Sequence, residues 1–198
     1  MGKIYCIMGK SASGKDTIYK RVLSECPELE RIVLYTTRPM RDHETEGVEY
    51  HYTTSEGMDR FRSEGAVIEE RTYDTVFGPW TYATVDDGTI LPDRSYAVIG
   101  TLESYPAMRD RFGSDRVVPV YIEVDPGVRL QRALDRENAQ QNPHYAEMCR
   151  RFLADEEDFS EEKIAEAGIE KRYVNEELDV CLARIISDIR ADGRGEKA

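Results

Sequence analysis

The chain opens with an apolar run that leads directly into a glycine-rich loop. Residues 3–8 read KIYCIM, and Gly9 then begins the pattern Gly-x-x-x-x-Gly-Lys, which ends at Lys15. A short, nearly continuous apolar run is typical of a strand buried on both faces. After the loop, apolar residues recur four positions apart, as on one face of a helix, at Ile18, Val22 and Cys26. A strand, a glycine-rich loop and a helix in this order predict a phosphate-binding loop.

In such a loop the glycines let the backbone wrap an anion, and the following helix presents its positive end to it. Lys15 adds a mobile positive charge for the outer phosphates of a nucleotide. The residues predicted to surround those phosphates are Gly9, Lys10, Ser11, Ala12, Ser13, Gly14, Lys15, Asp16 and Thr17.

Asp16 stands where this motif normally has Ser or Thr. Two interpretations remain open. An acid in the first helical turn complements the helix dipole. The same carboxylate can instead bind Mg²⁺, which prefers carboxylate oxygen and would screen its repulsion of the phosphates. Thr17 is the other candidate ligand for the metal.

The remaining pattern alternates buried-type strands with amphipathic helices. We expect strands at residues 31–35, 95–100, 116–124 and 171–175, with helices between them and a last helix over 176–190. Asp125 and Pro126 predict a helix start, and another helix is expected from about Tyr145. Residues 36–86 change to charged turns and short Tyr-rich runs, which we interpret as a small mixed insertion. The fold class is therefore α/β, a parallel sheet covered on both faces by helices, with ligands at the carboxyl ends of its strands.

Charge limits the possible partners. The formal net charge of −12 and the isoelectric point near 4.8 argue against nucleic acid and anionic membranes. The four cysteines lie far apart, which indicates neither a zinc site nor a disulfide scaffold. No run is long enough for a signal peptide or a membrane span, so we expect a soluble, cytoplasmic protein. The acidic stretch 155–163, DEEDFSEEK, is expected to be a solvated helix face.

A second cluster of charged residues lies in the insertion. Arg38 and Arg41 are three residues apart, and Glu44, Gly47 and Tyr50 follow at the same interval. Two arginines leaving one loop can hold a phosphate monoester with their planar forks, and a tyrosine hydroxyl can add a third donor.

With this cluster the chain resembles the guanylate kinase family, whose signature Thr-Thr-Arg-x-x-Arg-x-x-Glu-x-x-Gly-x-x-Tyr begins here at Thr36. The resemblance covers nearly the whole chain. Glu69 falls on the position of the family's guanine-reading acid, and Phe77-Gly78 is similar to its Tyr-Gly. Further matches are the lid-helix arginines Arg132 and Arg136, the following helix with Arg151, and Asn175 in a segment that lies near the adenine.

The resemblance implies a P-loop nucleoside-monophosphate-kinase fold: a core (1–35 and 87–198), an NMP-binding insertion (36–86) and a helical lid region (132–151). It implies transfer of the ATP γ-phosphoryl group to GMP, with Mg²⁺ as cofactor. The residues given catalytic roles are Lys15, Arg38, Arg132, Arg136 and Arg151. The GMP-binding residues are Arg38, Arg41, Tyr50, Glu69, Phe77 and Thr101, the last as a compensating residue. The arginines would close over the transferring group and exclude water.

The chain departs from the family at several positions. Leu34 and Tyr35 stand where the family has a serine, Phe77 lacks the tyrosine hydroxyl, and Pro79 replaces a small hydroxyl residue. Gly100 and Leu102 replace two aspartates, one near the metal and one near the base. Two alternatives follow. A ribose bisphosphate phosphokinase can share the Gly-Lys-Asp loop and the missing aspartate, and a guanylate-kinase-like protein-binding module would need no catalysis.

Overall fold

The apolar run after the N-terminus is the central strand of a parallel sheet. The computed structural model describes residues 1–75 and 77–193. The strands of this sheet are β1 (Ile4–Met8), β2 (Leu29–Arg31), β7 (Ser95–Ile99), β8 (Val117–Glu123) and β9 (Arg172–Val174), in the order β2-β7-β1-β8-β9. All residues of β1 are buried, because helices cover both faces of the sheet. The predicted α/β class is confirmed.

The two faces of β1 belong to two apolar cores. Tyr5 and Ile7 pack with helices α1 (Lys15–Glu25) and α7 (Leu178–Gly193). Cys6, on the opposite face, packs with α3 (Ser104–Phe112) and α6 (Glu161–Glu166). The alternation follows from the two-residue period of a strand.

The helices that follow β8 begin where the sequence predicts. Asp125 caps α4 (Pro126–Asn138), because its carboxylate accepts hydrogen bonds from the amides of Gly127 and Val128 at 2.9 and 3.1 Å. Helix α5 (Tyr145–Asp158) begins at Tyr145 as expected.

The insertion forms its own four-stranded sheet, in the order β4-β3-β6-β5. Its strands are β3 (Tyr35–Thr36), β4 (His51–Tyr52), β5 (Val67–Thr75) and β6 (Gly78–Val85). Two expectations need correction. Residues 31–35 are not one strand, because β2 ends at Arg31 in the main sheet and β3 begins at Tyr35 in the insertion. Helix α2 (Ser55–Ser63), capped by Thr54, was not predicted.

No helix within the described residues is both long and apolar enough to cross a membrane. The C-terminal residues 194–198, which include most of the expected frayed end, lie outside the described part of the chain.

Candidate nucleotide site

The glycine-rich loop joins β1 to α1 at the carboxyl end of the main sheet. Gly14 has φ 86°, the left-handed region that side chains disfavour. A Cβ at Gly14 would lie 2.6 Å from Asn175 Nδ2, and one at Gly9 would lie 2.6 Å from the carbonyl oxygen of Ile122. Both glycines are therefore required by close approach of the rest of the fold to the loop.

Asn175, which follows β9, is hydrogen-bonded to the backbone of this loop. Its side chain is buried, and Nδ2 donates a hydrogen bond of 2.8 Å to the carbonyl oxygen of Ser13. The resemblance implies a place near the adenine for this residue, which stays a prediction. The observed contact fixes the backbone that would bind phosphate.

Two carboxylates of α5, those of Asp155 and Glu156, also contact the loop. Asp155 Oδ2 accepts a hydrogen bond of 2.8 Å from the backbone amide of Ser11, and Glu156 Oε2 accepts one of 2.7 Å from Lys10 Nζ. This corrects the expectation that residues 155–163 form a solvated acidic face, because the first two acids are partly buried against the loop.

A buried arginine completes this contact. The Arg129 side chain is 1% exposed, and it donates to Asp155 Oδ2 (3.1 Å), to Glu156 and to the Ser11 carbonyl oxygen (3.3 Å). Its guanidinium carbon lies 4.0 Å from the ring centroid of Phe152. Burial disfavours the charged form of Glu156, yet the hydrogen bond and charge of Lys10 and the charge of Arg129 bring its pKa below the ordinary value. The sequence analysis missed Arg129, although its position one turn before Arg132 was visible.

In the insertion, Arg38 is buried and forms a two-bond ion pair with Glu44, at 2.7 and 2.9 Å. Glu44 also accepts from the Arg41 amide and the Tyr52 hydroxyl, both at 2.9 Å. The hydrogen bonds of Arg38 lower the pKa of Glu44 from its ordinary 4.5 to about 2. The Tyr50 ring lies 5.5 Å from the Arg38 guanidinium carbon, so three residues of the predicted signature meet here.

A cleft of about 1030 Å³ lies between the loop, the insertion and α5. The predicted site residues that line it are Gly9, Ser11, Lys15, Thr101 and Arg151. Nine further charged residues that the sequence analysis did not assign to the site also line it: Arg71, Glu103, Arg109, Glu147, Arg150, Asp155, Asp158, Lys163 and Glu166.

The three predicted lid arginines have different surroundings. Arg151 lines the cleft and also a neighbouring cavity of about 230 Å³. Arg136 lines only the smaller cavity of the two. Arg132 is partly buried, and its guanidinium donates to the carbonyl oxygen of Asn175 at 3.2 Å.

The chain is similar to guanylate kinases over most of its length. A guanylate kinase family model matches residues 1–87. A relative named guanylate kinase from Salinibacter ruber is 28% identical over 94% of this chain and 95% of its own length. A solved guanylate kinase from Anaplasma phagocytophilum superimposes with a TM-score of 0.61, at 21% identity, over 96% of this chain and 86% of that one. The chain is thus similar to guanylate kinases in sequence, and it shares their fold.

Other guanylate kinases match over shorter segments. The protein from Syntrophotalea carbinolica is 35% identical over 68 residues, which is 34% of this chain and 32% of its own length. The one from Neisseria gonorrhoeae is 30% identical over 121 residues, or 61% of this chain and 58% of its own length. These matched segments span less than two thirds of the relatives' lengths.

Glu69, which the resemblance places at a guanine-reading position, lies half-buried on β5. Its Oε1 accepts a hydrogen bond of 3.1 Å from the Thr84 hydroxyl, and its Oε2 lies 3.4 Å from Arg71 Nε. Burial raises the pKa of the Cys6 thiol to about 12, and the charge of Glu69 adds to this shift. Glu69 therefore lies close to the main sheet.

Phe77, another residue predicted to bind GMP, is 81% exposed and stacks on Trp80, with 6.1 Å between ring centroids.

Packing explains why Gly100 stands where the resemblance implies an aspartate near the metal. A Cβ at Gly100 would lie 2.3 Å from Cys6 Sγ, so an aspartate does not fit there without movement. Asp16 is exposed at the start of α1, with Oδ2 at 3.4 Å from Lys15 Nζ. Among residues 1–75 and 77–193 no group of three or more His, Cys, Asp or Glu side chains forms a metal site. Mg²⁺ commonly takes one or two carboxylates with phosphates and water, and Asp16 and Thr17 fit that pattern.

Proposed function

We propose that this chain transfers the γ-phosphoryl group of ATP to GMP, giving ADP and GDP. The observation that carries the proposal is the shared cleft, because the loop lysine, a strand of the insertion and the arginine helix α5 line one cavity. Its volume, about 1030 Å³, is at the upper end for small-molecule sites and suits two ligands that meet. Reactants held in line need little covalent chemistry from the protein.

In this proposal each part of the chain has a separate task. Lys15 and the loop amides hold the ATP phosphates, and Asn175 keeps the loop in shape. Arg38, Arg41 and Tyr50 hold the acceptor phosphate, with Glu44 fixing the direction of the Arg38 fork. Arg151 approaches the transferring group from α5. Arg132 and Arg136 belong to the lid that excludes water from the closed site.

Asp16 and Thr17 would hold Mg²⁺ at the start of α1. When bound, the ion would supply positive charge that screens the ATP phosphates from the Asp16 carboxylate. Lys15, next to Asp16, would keep that carboxylate oriented.

The test is to measure ADP release with ATP and Mg²⁺ in the presence of GMP, AMP or ribose 1,5-bisphosphate. We expect GMP to be the preferred acceptor, and Lys15→Met to abolish turnover while thermal unfolding stays cooperative. Preference for the phosphosugar would contradict the proposal. The protein-binding alternative would be supported if calorimetric titration with ATP and Mg²⁺ gave no heat.

A further inference from the structure

Glu69 and Arg71 are two residues apart on β5, so their side chains leave the same face of the insertion sheet. Across the antiparallel pair with β6 they stand opposite Thr84 and Tyr82. Glu69 is 10% exposed and Arg71 is 29% exposed. Glu69 is thus the more buried of the two, and Arg71 lines the cleft.

Arg71 is held only loosely by its neighbour. Its Nε lies 3.4 Å from Glu69 Oε2, close enough for an ion pair, yet this buried nitrogen has no hydrogen-bond partner among the described residues. A buried donor without a partner is unusual in folded proteins, and a ligand is one explanation for it. The guanidinium carries five donors in a flat fork, which matches two acceptors in one plane.

Guanine presents such a pair of acceptors. O6 and N7 lie side by side on one edge of the base, and arginine is the residue that most often binds both together. The opposite side of O6 presents the N1–H and the exocyclic amino group, both donors suited to a carboxylate. An arginine beside a glutamate therefore complements guanine on both sides of O6, whereas adenine places an amino donor where the arginine needs an acceptor.

We propose that Arg71 is a specificity-determining residue that donates to guanine O6 and N7, beside Glu69, to which the family resemblance already gives the N1–H and the amino group. This inference rests on the proposed function, since it assigns the base recognition of the same acceptor site. The family has hydroxyl or aspartate side chains at the positions of Leu34, Pro79 and Leu102, which this chain lacks. The proposal explains how guanine could be recognised without them. Arg71 supplies a donor from β5 in their place, and its pairing with Glu69 keeps the base pocket neutral.

The test compares GMP with two analogues that each lack one group. In 7-deaza-GMP a C–H replaces N7, and IMP lacks the exocyclic amino group. We expect the wild type to lose about tenfold in kcat/KM with 7-deaza-GMP. In Arg71→Met, kcat/KM for GMP should fall about 10- to 100-fold, and GMP and 7-deaza-GMP should become equal. The preference for GMP over IMP should remain, because the amino group faces Glu69.

Arg62→Met is the matched control. Arg62 lies on α2 and donates to Glu70, the residue between Glu69 and Arg71, with Nε–Oε1 at 2.9 Å. Its removal perturbs the same strand without touching the cleft, so both analogue ratios should stay at their wild-type values. The inference is overturned if the wild type does not discriminate against 7-deaza-GMP, or if Arg71→Met discriminates as the wild type does. Failure of the wild type to phosphorylate GMP at all would instead remove the proposed function itself.

Discussion

Gly100 shows how one neighbouring atom, Cys6 Sγ, can exclude a side chain from a position beside the loop. The residue follows β7 beside the loop, and its missing side chain leaves room for Cys6 Sγ, 2.3 Å from where a Cβ would be, and for Ser104 Oγ at 3.0 Å. Its φ lies outside the left-handed region, so the constraint is contact with neighbours and not backbone strain. The thiol thus occupies space that the family's aspartate would need.

We expect Gly100→Ala to lower the free energy of unfolding by about 1–3 kcal/mol, the usual cost of inserting an atom into a packed core. Cys6→Ala removes the nearest clashing atom. The double variant Cys6→Ala/Gly100→Ala should therefore be more stable than the sum of the two single changes predicts. Urea denaturation of the four proteins measures this, and strict additivity would show that the two positions do not interact.

At the same scale, the sequence predicted contacts between site residues that are close along the chain better than contacts between distant segments. Arg38, Glu44 and Tyr50 were recognised by spacing, and they meet in the structure. The exposure of Arg71 and the burial of Asn175 depend on which segments cross over them, and a single sequence does not record that.

At the scale of elements, helix α5 differs most from the sequence-based expectation. Its start was predicted correctly, but its acidic end was assigned to solvent, although Asp155 and Glu156 contact the loop. Charge patterns along a helix identify a polar face, but they do not reveal a partner that lies 144 residues away, as Ser11 does from Asp155. Helix α2 was missed for a different reason, since its nine residues contain only two large apolar side chains, Met58 and Phe61, three positions apart.

The buried arginine of α4 should be important for the attachment of α5. Arg129→Met removes the positive charge between Asp155 and Glu156, and we expect a loss of about 3 kcal/mol in the free energy of unfolding. Changing both acids as well, in Arg129→Met/Asp155→Asn/Glu156→Gln, should recover part of that loss because no charge is then left unpaired.

The matched control for this prediction is Arg150→Met on α5. Arg150 pairs with Glu147 at 2.7 Å, but the side chains are 67% and 50% exposed, so we expect a change of less than about 1 kcal/mol. Equal losses from the two arginine variants in chemical denaturation would show that the buried network does not attach the helix to the loop.

At the scale of the whole molecule, a chain with a net charge of −12 gathers cationic side chains around one cleft. Lys15 comes from the core, Arg71 from the insertion and Arg151 from α5. Two of the acids of the same cleft, Glu147 and Asp155, are hydrogen-bonded to Arg150 and to the Ser11 amide. Positive charge near the loop lysine is the feature that would favour small phosphorylated ligands in an otherwise acidic protein.

Arg151 tests whether these three parts act together. Its helix is tied to the phosphate loop through Asp155 and Glu156, so the guanidinium has a defined approach to a phosphate held by Lys15. We expect Arg151→Ala to lower kcat by about 100-fold, the scale of losing one preorganised donor to a developing charge, with KM for GMP changed only a few-fold. Arg111→Ala is the matched control, since Arg111 pairs with Asp86 at 2.8 Å and does not line the cleft. Steady-state assays that give kcat and KM for GMP in both variants test this prediction. A normal kcat for Arg151→Ala would mean that α5 does not reach the transferring group, and the cleft would then have to bind its ligands without help from this helix.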